Sequence, residues 1–405
     1  MAYQGFLPGK FPTKELNQTR IMEIAPDIWM IEGYLSTNFF FKPPSCNCFI
    51  MRDKDMVLLI DTGTYPHYRE KILKILEMYR KGGAKRLILM LTQGHFDHVA
   101  NNDLILEAGY SDVKFLLPEA EVATLDLYTH WTGEYQELRE YYDTFREMMP
   151  MSFPTGIVRI VNSVSQKLAD RLMASNLRSL FRGINTMAAT AMILSNDSRV
   201  KRKFGDVEFL GWEVGRFFAV HDATHSPGHL SFYDPENKVF ITGDATLEIN
   251  PAFLNSSLNN CITMMNKYKR FAEQGFVKLA TDSHRSKIWS SMLIDETGEE
   301  PMDALQLEDT FEGSDKCAAY YSLWEAYYKG MKSEVLAILQ RRKEATVHQL
   351  ISDFKVSKNP YAHFKVLMKF PQLPSRLDVM VANVLREANI PRRKEGSKII
   401  FKHNE

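Results

Sequence analysis

Residues 89–102 read LMLTQGHFDHVANN and bring His95, Asp97 and His98 together within four positions. They continue the run RLILMLT, residues 86–92, which is too apolar for a half-exposed strand and indicates a buried one. Imidazole and carboxylate groups at the end of such a strand are ligands that suit zinc, iron or manganese. Gln93 stands two positions before His95, where a further histidine would be expected.

Three further candidate ligands also lie at the ends of strand-like runs. His229 lies in THSPGHLSF, Asp244 ends KVFITGD, and His284 ends KLATDSH. One histidine at a strand end is most often structural. Several such residues at four strand ends favour a metal site, because strand ends gather functional groups in α/β sheets.

The composition is that of an ordinary globular protein. The chain has 405 residues with 50 basic and 50 acidic side chains, so its overall charge does not indicate a polyanion partner. The four cysteines form no CxxC pair, and we expect reduced thiols in a cytoplasmic protein. The N-terminal residues lack the apolar core of a signal peptide, and no run is long enough to span a membrane.

The order of predicted elements indicates an α/β architecture. Residues 21–63 have the pattern of β structure, residues 65–80 that of a helix, and the following strands and helices alternate. Residues 122–200 are mostly helical in pattern and predict an insertion. The insertion could be a lid over a site, an ornament or an oligomer contact.

The last part of the chain has a different pattern. Its helical segments include the amphipathic TVHQLISDF, AHFKVLMKF and LDVMVANVLREANI, and PRRKEGSKIIFKH predicts a β wing. From residue 331 onward the chain carries about eight more basic than acidic residues. We therefore expect a winged-helix-like tail.

Taken in order, QGHFDH, THSPGH, ITGDA and ATDSH resemble the motifs of the metallo-β-lactamase-fold hydrolases, the superfamily of hydroxyacylglutathione hydrolases and lactonases. SCNCFIM and VLLIDTG resemble the opening strands of that family, with Asn47 and Asp61 at familiar places. The resemblance covers about residues 21–290.

The resemblance implies a four-layer αββα sandwich with a helical insertion and a C-terminal, mainly helical, winged-helix-like domain. We expect the two halves of the sandwich at 1–121 and 201–290, the insertion at 122–200 and the C-terminal domain at 291–405.

The resemblance also implies a binuclear metal site, which we expect to hold two zinc ions, with iron or manganese as alternatives. Its ligands would be Gln93, His95, Asp97, His98, His229, Asp244 and His284. His229 would complete the first position with Gln93 and His95, and Asp244 would bridge the two positions. His225 and Asp61 match positions that we interpret as structural.

Asp97, His98 and His284 would form the second position, and Asp97 would also orient the nucleophile as the catalytic residue. Gln93 predicts a weaker or differently occupied first position, because an amide oxygen is a poorer zinc donor than imidazole.

The implied activity is hydrolysis of an ester, thioester, lactone or related bond by a metal-bound hydroxide. Aromatic side chains in the insertion could contact an aromatic substrate, or could pack the helices instead. They are Tyr128, His130, Trp131, Tyr135, Tyr141 and Tyr142.

Two other functions stay open on the same fold. One is an iron-dependent redox enzyme, although redox members usually carry a carboxylate at the position of His95. The other is a non-catalytic binding scaffold, against which the retained ligand positions argue. We expect a small-molecule substrate and no membrane or nucleic-acid partner, and a homo-oligomer remains open.

Overall fold

The computed structural model describes most of the chain. The described residues are 19–33, 44–127, 130, 168, 171, 175, 181–247, 250–251, 256–284, 310–354, 356–357, 376–396 and 398–403. Within them, no helix is long and apolar enough to cross a bilayer. The four cysteines are buried and free, and the Sγ atoms of Cys46 and Cys48 lie 3.9 Å apart.

The first sheet contains seven strands in sequence order. They are β1 (Ile21–Ala25), β2 (Ile28–Ile31), β3 (Cys48–Asp53), β4 (Met56–Ile60), β5 (Arg86–Met90), β6 (Asp112–Pro118) and β7 (Met192–Leu194). Strands β1 to β4 pair antiparallel, and β4 to β7 pair parallel. The parallel part places β5 between β4 and β6, so the carboxyl end of this buried strand opens at the middle of the sheet edge.

The second sheet is also seven-stranded. Its strands are β8 (Val200–Phe204), β9 (Val207–Val214), β10 (Phe217–His221), β11 (Leu230–Asp234), β12 (Val239–Ile241), β13 (Leu279–Thr281) and β14 (Phe311–Glu312). All neighbours pair antiparallel except β12 and β13, which are parallel.

Helices cover the outer faces of both sheets. They are α1 (Pro66–Lys81), α2 (Phe96–Val99), α3 (Val122–Leu125), α4 (Leu258–Glu273), α5 (Ser314–Arg342), α6 (Val347–Phe354) and α7 (Arg376–Glu387). Short 3-10 turns occupy Asn102–Leu106, Glu119–Glu121, Ala188–Thr190, Asn196–Ser198 and Gly243–Thr246.

The four layers follow from which faces are apolar. Phe49 and Leu58 of the first sheet pack against Phe217 and Phe232 of the second, and their cluster is the core between the sheets. Helix α1 begins with Pro66 and buries residues three and four apart, including Ile72 and Leu76, against the other face of the first sheet. Helices α4 and α5 cover the second sheet. The αββα fold expected from the sequence is confirmed.

Helix α5 is buried around most of its circumference. Tyr321, Trp324 and Tyr328 are fully buried, and the same apolar cluster includes residues of α4, α6 and α7. A helix that is apolar all round is a core helix. The C-terminal region is therefore packed onto the second sheet through α5.

The predicted wing is present as a hairpin. Strands β16 (Arg392–Glu395) and β17 (Lys398–Lys402) pair antiparallel, and β17 also pairs with β15 (Glu344–Ala345). Gly396 supplies the left-handed backbone that the turn needs, with φ +58°. The predicted helix AHFKVLMKF lies outside the described residues, so the winged-helix-like arrangement stays a prediction.

The range predicted as a helical insertion, 122–200, is not helical throughout. Met192–Leu194 forms β7 and pairs parallel with β6, so it extends the first sheet. A short apolar run such as TMAATAMIL has no periodicity that separates strand from helix, which explains the difference. Most of the remaining insertion lies outside the described residues, and the three boundaries between the predicted segments stay predictions.

Candidate metal centre

The motif of residues 93–98 lies where β5 ends. After Met90 the chain turns, and helix α2 begins at Phe96 with His95 as its N-cap residue. His95, Asp97 and His98 are all buried. The end of β5 is therefore followed by three buried candidate ligands, which is where an α/β sheet gathers functional groups.

The second sheet contributes the other candidate ligands at the facing edge. His225 and His229 lie in the loop between β10 and β11, and Asp244 lies in the 3-10 turn after β12. His284 follows β13, which is parallel to β12. All four side chains are buried.

A first cluster joins His95, His225 and Asp244. The Nδ1 atom of His95 lies 3.2 Å from Nε2 of His225. The same Nε2 atom of His225 lies 3.6 Å from Oδ2 of Asp244. These donor atoms are close enough to one another to surround a single cation.

A second cluster joins Asp97, His98 and His284. The Oδ2 atom of Asp97 is 3.8 Å from Nε2 of His98 and 3.5 Å from Nε2 of His284. This set combines a carboxylate with two imidazoles, which are ligands that zinc accepts.

Asp244 lies between the clusters and faces both. Its Oδ2 atom is 3.6 Å from Nε2 of His225 in the first cluster and 3.3 Å from Nε2 of His98 in the second, and its Oδ1 atom is 3.3 Å from Nε2 of His284. Asp244 is therefore within reach of donors of both clusters, and its bridging of two cations stays a prediction.

His229 does not lie in either cluster, in contrast to the assignment made from the sequence. Its Nδ1 atom is 2.7 Å from Oδ1 of Asp222, and its Nε2 atom accepts the backbone N–H of Asp244 at 3.0 Å. Both ring nitrogens are thus engaged within the protein. His225, interpreted as structural from the sequence, takes the place beside His95 instead. The signal that could have distinguished them is Asp222, a polar residue directly after β10 that pairs with the second histidine of THSPGH.

Gln93 reaches into the pocket from the start of the motif. Its Nε2 atom lies 2.9 Å from Nε2 of His98 and also contacts Oδ2 of Asp244. In the part of the chain that the structure describes, its buried Oε1 atom has no hydrogen-bond partner. Rotation of the amide by half a turn would direct Oε1 towards His98 and Asp244 instead of Nε2. The residue therefore has an oxygen donor to offer a cation there.

Asp61 supports the site from below, as expected. Its Oδ2 atom is 2.9 Å from Nδ1 of His98, and its carboxylate accepts both the N–H and the hydroxyl of Thr92 at 2.8 and 2.6 Å. These contacts orient the ring of His98 and leave its Nε2 atom towards the pocket. Cys46 also lies near Asp61 and His98, but burial raises the pKa of its thiol well above the ordinary value.

Asn47 fixes the loop that carries His284. Its Nδ2 group donates to the carbonyl oxygen of Asp282 at 2.7 Å, and its Oδ1 atom accepts the N–H of Gly33 at 2.6 Å. The first strands of the fold therefore hold a loop that lies more than 230 positions later in the chain.

Glu121 is a functional residue that the sequence analysis missed. Its Oε1 atom accepts the N–H of Gly94 at 2.7 Å. Its Oε2 atom accepts the hydroxyl of Ser226 at 2.8 Å and the N–H of Gly228 at 3.0 Å. One buried carboxylate thus joins the loop of His95 to the loop of His225. Glu121 belongs to no recognisable sequence motif, so its contacts with both loops are seen only in the folded structure.

The electrostatics of the pocket favour a cation. Burial raises the pKa of Asp97. Burial acts on Asp244 in the same direction, but the adjacent His284 and His98 hold the pKa of this carboxylate well below its ordinary range. For His98, burial opposes protonation, yet the surrounding acidic groups, including Asp61, raise its pKa well above the ordinary value. Such a field stabilises positive charge in the pocket.

The comparisons with known proteins agree with this architecture. The sequence model of the metallo-beta-lactamase superfamily matches residues 42–293. No curated protein matches the chain.

Several solved structures share the fold at low identity. A metallo-beta-lactamase family protein from Thermus thermophilus is 14% identical, with 94% of this chain and 100% of that chain covered and a TM-score of 0.53. A beta-lactamase domain protein from Burkholderia ambifaria is 14% identical, with 95% and 93% covered and a TM-score of 0.56. The sec-alkylsulfatase Pisa1 from Pseudomonas sp. is 13% identical, with 91% and 50% covered and a TM-score of 0.50.

Since the matched region spans more than half of the sequence, the chain belongs to the metallo-beta-lactamase superfamily. Members of this superfamily are metal-dependent hydrolases, and the His and Asp clusters described above are groups that could bind metal.

Proposed function

We propose that this chain is a hydrolase with two cations, most simply zinc, that cleaves an ester, thioester, lactone or related bond of a small molecule. The observation that carries the proposal is the position of Asp244, whose Oδ2 atom lies 3.6 Å from Nε2 of His225 in the first cluster and 3.3 Å from Nε2 of His98 in the second. A carboxylate shared between two donor sets is suited to hold two cations close together, as in two-metal hydrolytic sites.

In the ligand set that we propose, His225 replaces His229. The first cation would be held by Nδ1 of His95, Nε2 of His225 and Oδ2 of Asp244. Its donor atoms lie within 3.2 to 3.6 Å of their neighbours. Gln93, whose amide contacts Asp244 and also His98 of the second cluster, would be the additional donor that the sequence predicts. Among the described residues, the buried Oε1 atom of Gln93 has no hydrogen-bond partner, which supports its role as a donor to a cation.

The second cation would be held by Asp97, His98 and His284, with Asp244 shared. Bound cations of this kind supply a water of lowered pKa and stabilise negative charge that develops on the substrate. The carboxylate of Asp97 lies close to both His98 and His284, which supports Asp97 as the residue that would orient the attacking water. Asp61 orients the ring of His98, and Asn47 holds the loop that carries His284, so that the Nε2 atoms of both rings face the pocket.

His130 is the one described member of the aromatic residues that we expected in the insertion. Its ring centroid is 6.0 Å from that of His95. A side chain from the insertion therefore lies beside the first cluster, which supports a role for the insertion in contacting substrate. The five other aromatic residues named in the sequence analysis lie outside the described residues.

The proposal is tested with the full chain and a panel of thioesters, lactones, aryl esters and β-lactams. We expect zinc-dependent turnover of at least one class, lost on chelation and reduced at least about a thousandfold in His98→Ala. Tyr110→Phe is a matched control, because its hydroxyl bonds to the Leu76 carbonyl remote from the site. Full activity in His98→Ala would contradict the proposal, and redox turnover with iron would favour the alternative enzyme class.

A further inference from the structure

Asn250 is a fully buried side chain that contacts the first cluster from behind. Its Oδ1 atom lies 2.6 Å from Nδ1 of His225. Its Nδ2 group donates to the carbonyl oxygens of Asp244 at 2.7 Å and Ala245 at 3.1 Å. One side chain therefore contacts two residues of the proposed first position.

The carbonyl contacts determine which way the amide of Asn250 faces. Carbonyl oxygens only accept hydrogen bonds, so the NH2 group of the amide, and not its oxygen, must face Asp244 and Ala245. The amide oxygen must then face His225, and it can only accept. The proton of a neutral His225 ring therefore lies on Nδ1, and the lone pair of Nε2 faces His95 and Asp244.

The hydroxyl of Tyr328, on α5, faces the same Nδ2 group as a third acceptor. Its hydroxyl lies 2.8 Å from the carbonyl oxygen of Leu247 and 3.2 Å from Nδ2 of Asn250. Because Tyr328 is fully buried in the apolar cluster of α5, its hydroxyl has little freedom to move. The C-terminal region thus reaches the first cluster through two hydrogen-bonded side chains.

We propose that Asn250 is a positioning residue that fixes His225 as the Nδ1–H tautomer and thereby prepares its Nε2 atom as a donor to the first cation. The consequence for the first cation rests on the function proposed above, whereas the tautomer follows from the contacts of Asn250 alone. Hydrogen-bond partners of metal-ligating histidines typically change metal affinity by about 10- to 100-fold when they are removed.

The tautomer is measured first, by imidazole ¹⁵N NMR of the full chain after chelation. In the native chain we expect a protonated Nδ1 and an unprotonated Nε2 for His225. Asn250→Ala should give a mixture of tautomers, because the acceptor is lost. Asn250→Asp should retain the native tautomer, since a carboxylate oxygen still accepts from Nδ1, even if its lost donors lower the unfolding temperature.

Zinc affinity is measured next, by competition with a chelator of known affinity. We expect Asn250→Ala to lower the affinity for one of the two zinc ions by about 10- to 100-fold and to leave the affinity for the other unchanged. Asn260→Ala is the matched control. Asn260 also donates its amide to two backbone carbonyls of the His225 loop, those of Asp222 and Ala223 at 2.8 and 2.9 Å.

The inference is overturned if His225 keeps the Nδ1–H tautomer in Asn250→Ala, or if Asn260→Ala shifts the tautomer to the same extent. The second outcome would show that any loosening of the loop has the effect. A native chain that binds one zinc ion and still shows the predicted tautomer would overturn the proposed two-cation function while supporting the role of Asn250.

Discussion

Asp244 is the residue on which the candidate centre depends. The backbone N–H of Asp244 donates to His229, and its carbonyl oxygen accepts from Asn250, so the backbone that carries the carboxylate is held on both sides. Burial raises the pKa of the Asp244 carboxylate, but the adjacent His284 and His98 lower it more, so this pKa lies well below the ordinary range. A carboxylate that is fixed and ionised in this way is suited to bridge two cations.

Gln93 is expected to limit the affinity of the first position. Replacement by histidine, Gln93→His, introduces a stronger zinc donor at the same backbone position, so the first zinc should bind on the order of tenfold more tightly. Competition with a chelator measures this affinity. Gln93→Leu is the control, because it removes the donor while keeping a similar volume. Equal affinities in all three proteins would mean that position 93 does not contact the cation.

The identities of most candidate residues were predictable from the sequence, but their contacts were not. QGHFDH, ITGDA and ATDSH placed Asp97, His98 and Asp244 in one pocket. THSPGH offered two histidines four positions apart, and the choice between His225 and His229 depends on Asp222 and Asn250. Those partners are distant in the chain or carry no motif, so spacing alone could not select between the rings.

One buried carboxylate joins two of the loops at the sheet edges. Glu121, in the 3-10 turn after β6, accepts hydrogen bonds from the His95 loop and from the His225 loop. Gly228 is required there, because a Cβ atom at this position would lie 2.6 Å from the Glu121 carboxylate. Two ligand loops from different sheets are thus held at a fixed separation.

Glu121→Gln should loosen this junction. The substitution replaces one acceptor oxygen by an amide NH2 group, which cannot accept a hydrogen bond from the backbone N–H groups or the Ser226 hydroxyl, so a buried donor loses its partner. We expect the free energy of unfolding to fall by about 1–3 kcal/mol, and the first zinc ion to bind less tightly. Urea unfolding and zinc competition measure the two effects. Glu119→Gln is an exposed control in the same turn, and an equal loss in both variants would contradict the role of Glu121.

Periodic segments were predicted well and short ones poorly. Helix α1 and strands β3, β4 and β5 have clear helical or apolar patterns, and the structure contains them. Strand β7 has only three residues, and it is a strand because β6 offers a free parallel edge. Helix α4 was not predicted, although Ser257 caps it by accepting the N–H of Asn260. Tertiary contacts decide such elements.

The C-terminal region is part of the same folded unit as the second sheet. One apolar cluster contains Phe209 and Phe240 of the sheet, Tyr268 of α4 and Trp324 of α5. Tyr320 of α5 also donates to the Asp282 carboxylate at 2.7 Å, two positions before His284. We therefore expect α5 and the second sheet to unfold together.

Trp324→Ala tests this cooperativity. Loss of a fully buried indole should lower the free energy of unfolding by about 3–5 kcal/mol. Amide hydrogen exchange should show reduced protection in β10 to β12 as well as in α5, because both belong to one cooperative unit. A loss of protection confined to residues after 313 would show instead that the C-terminal region unfolds separately.

The most direct test of the two-cation centre is the zinc content of three full-length proteins, measured by elemental analysis after loading and removal of free metal. Native protein should retain two zinc ions per chain, and His225→Ala should retain one. His229→Ala should keep two whenever it remains folded, since His229 lies behind the pocket. One zinc ion in the native protein, or two in His225→Ala, would contradict a centre in which Asp244 bridges two cations and His225 holds the first.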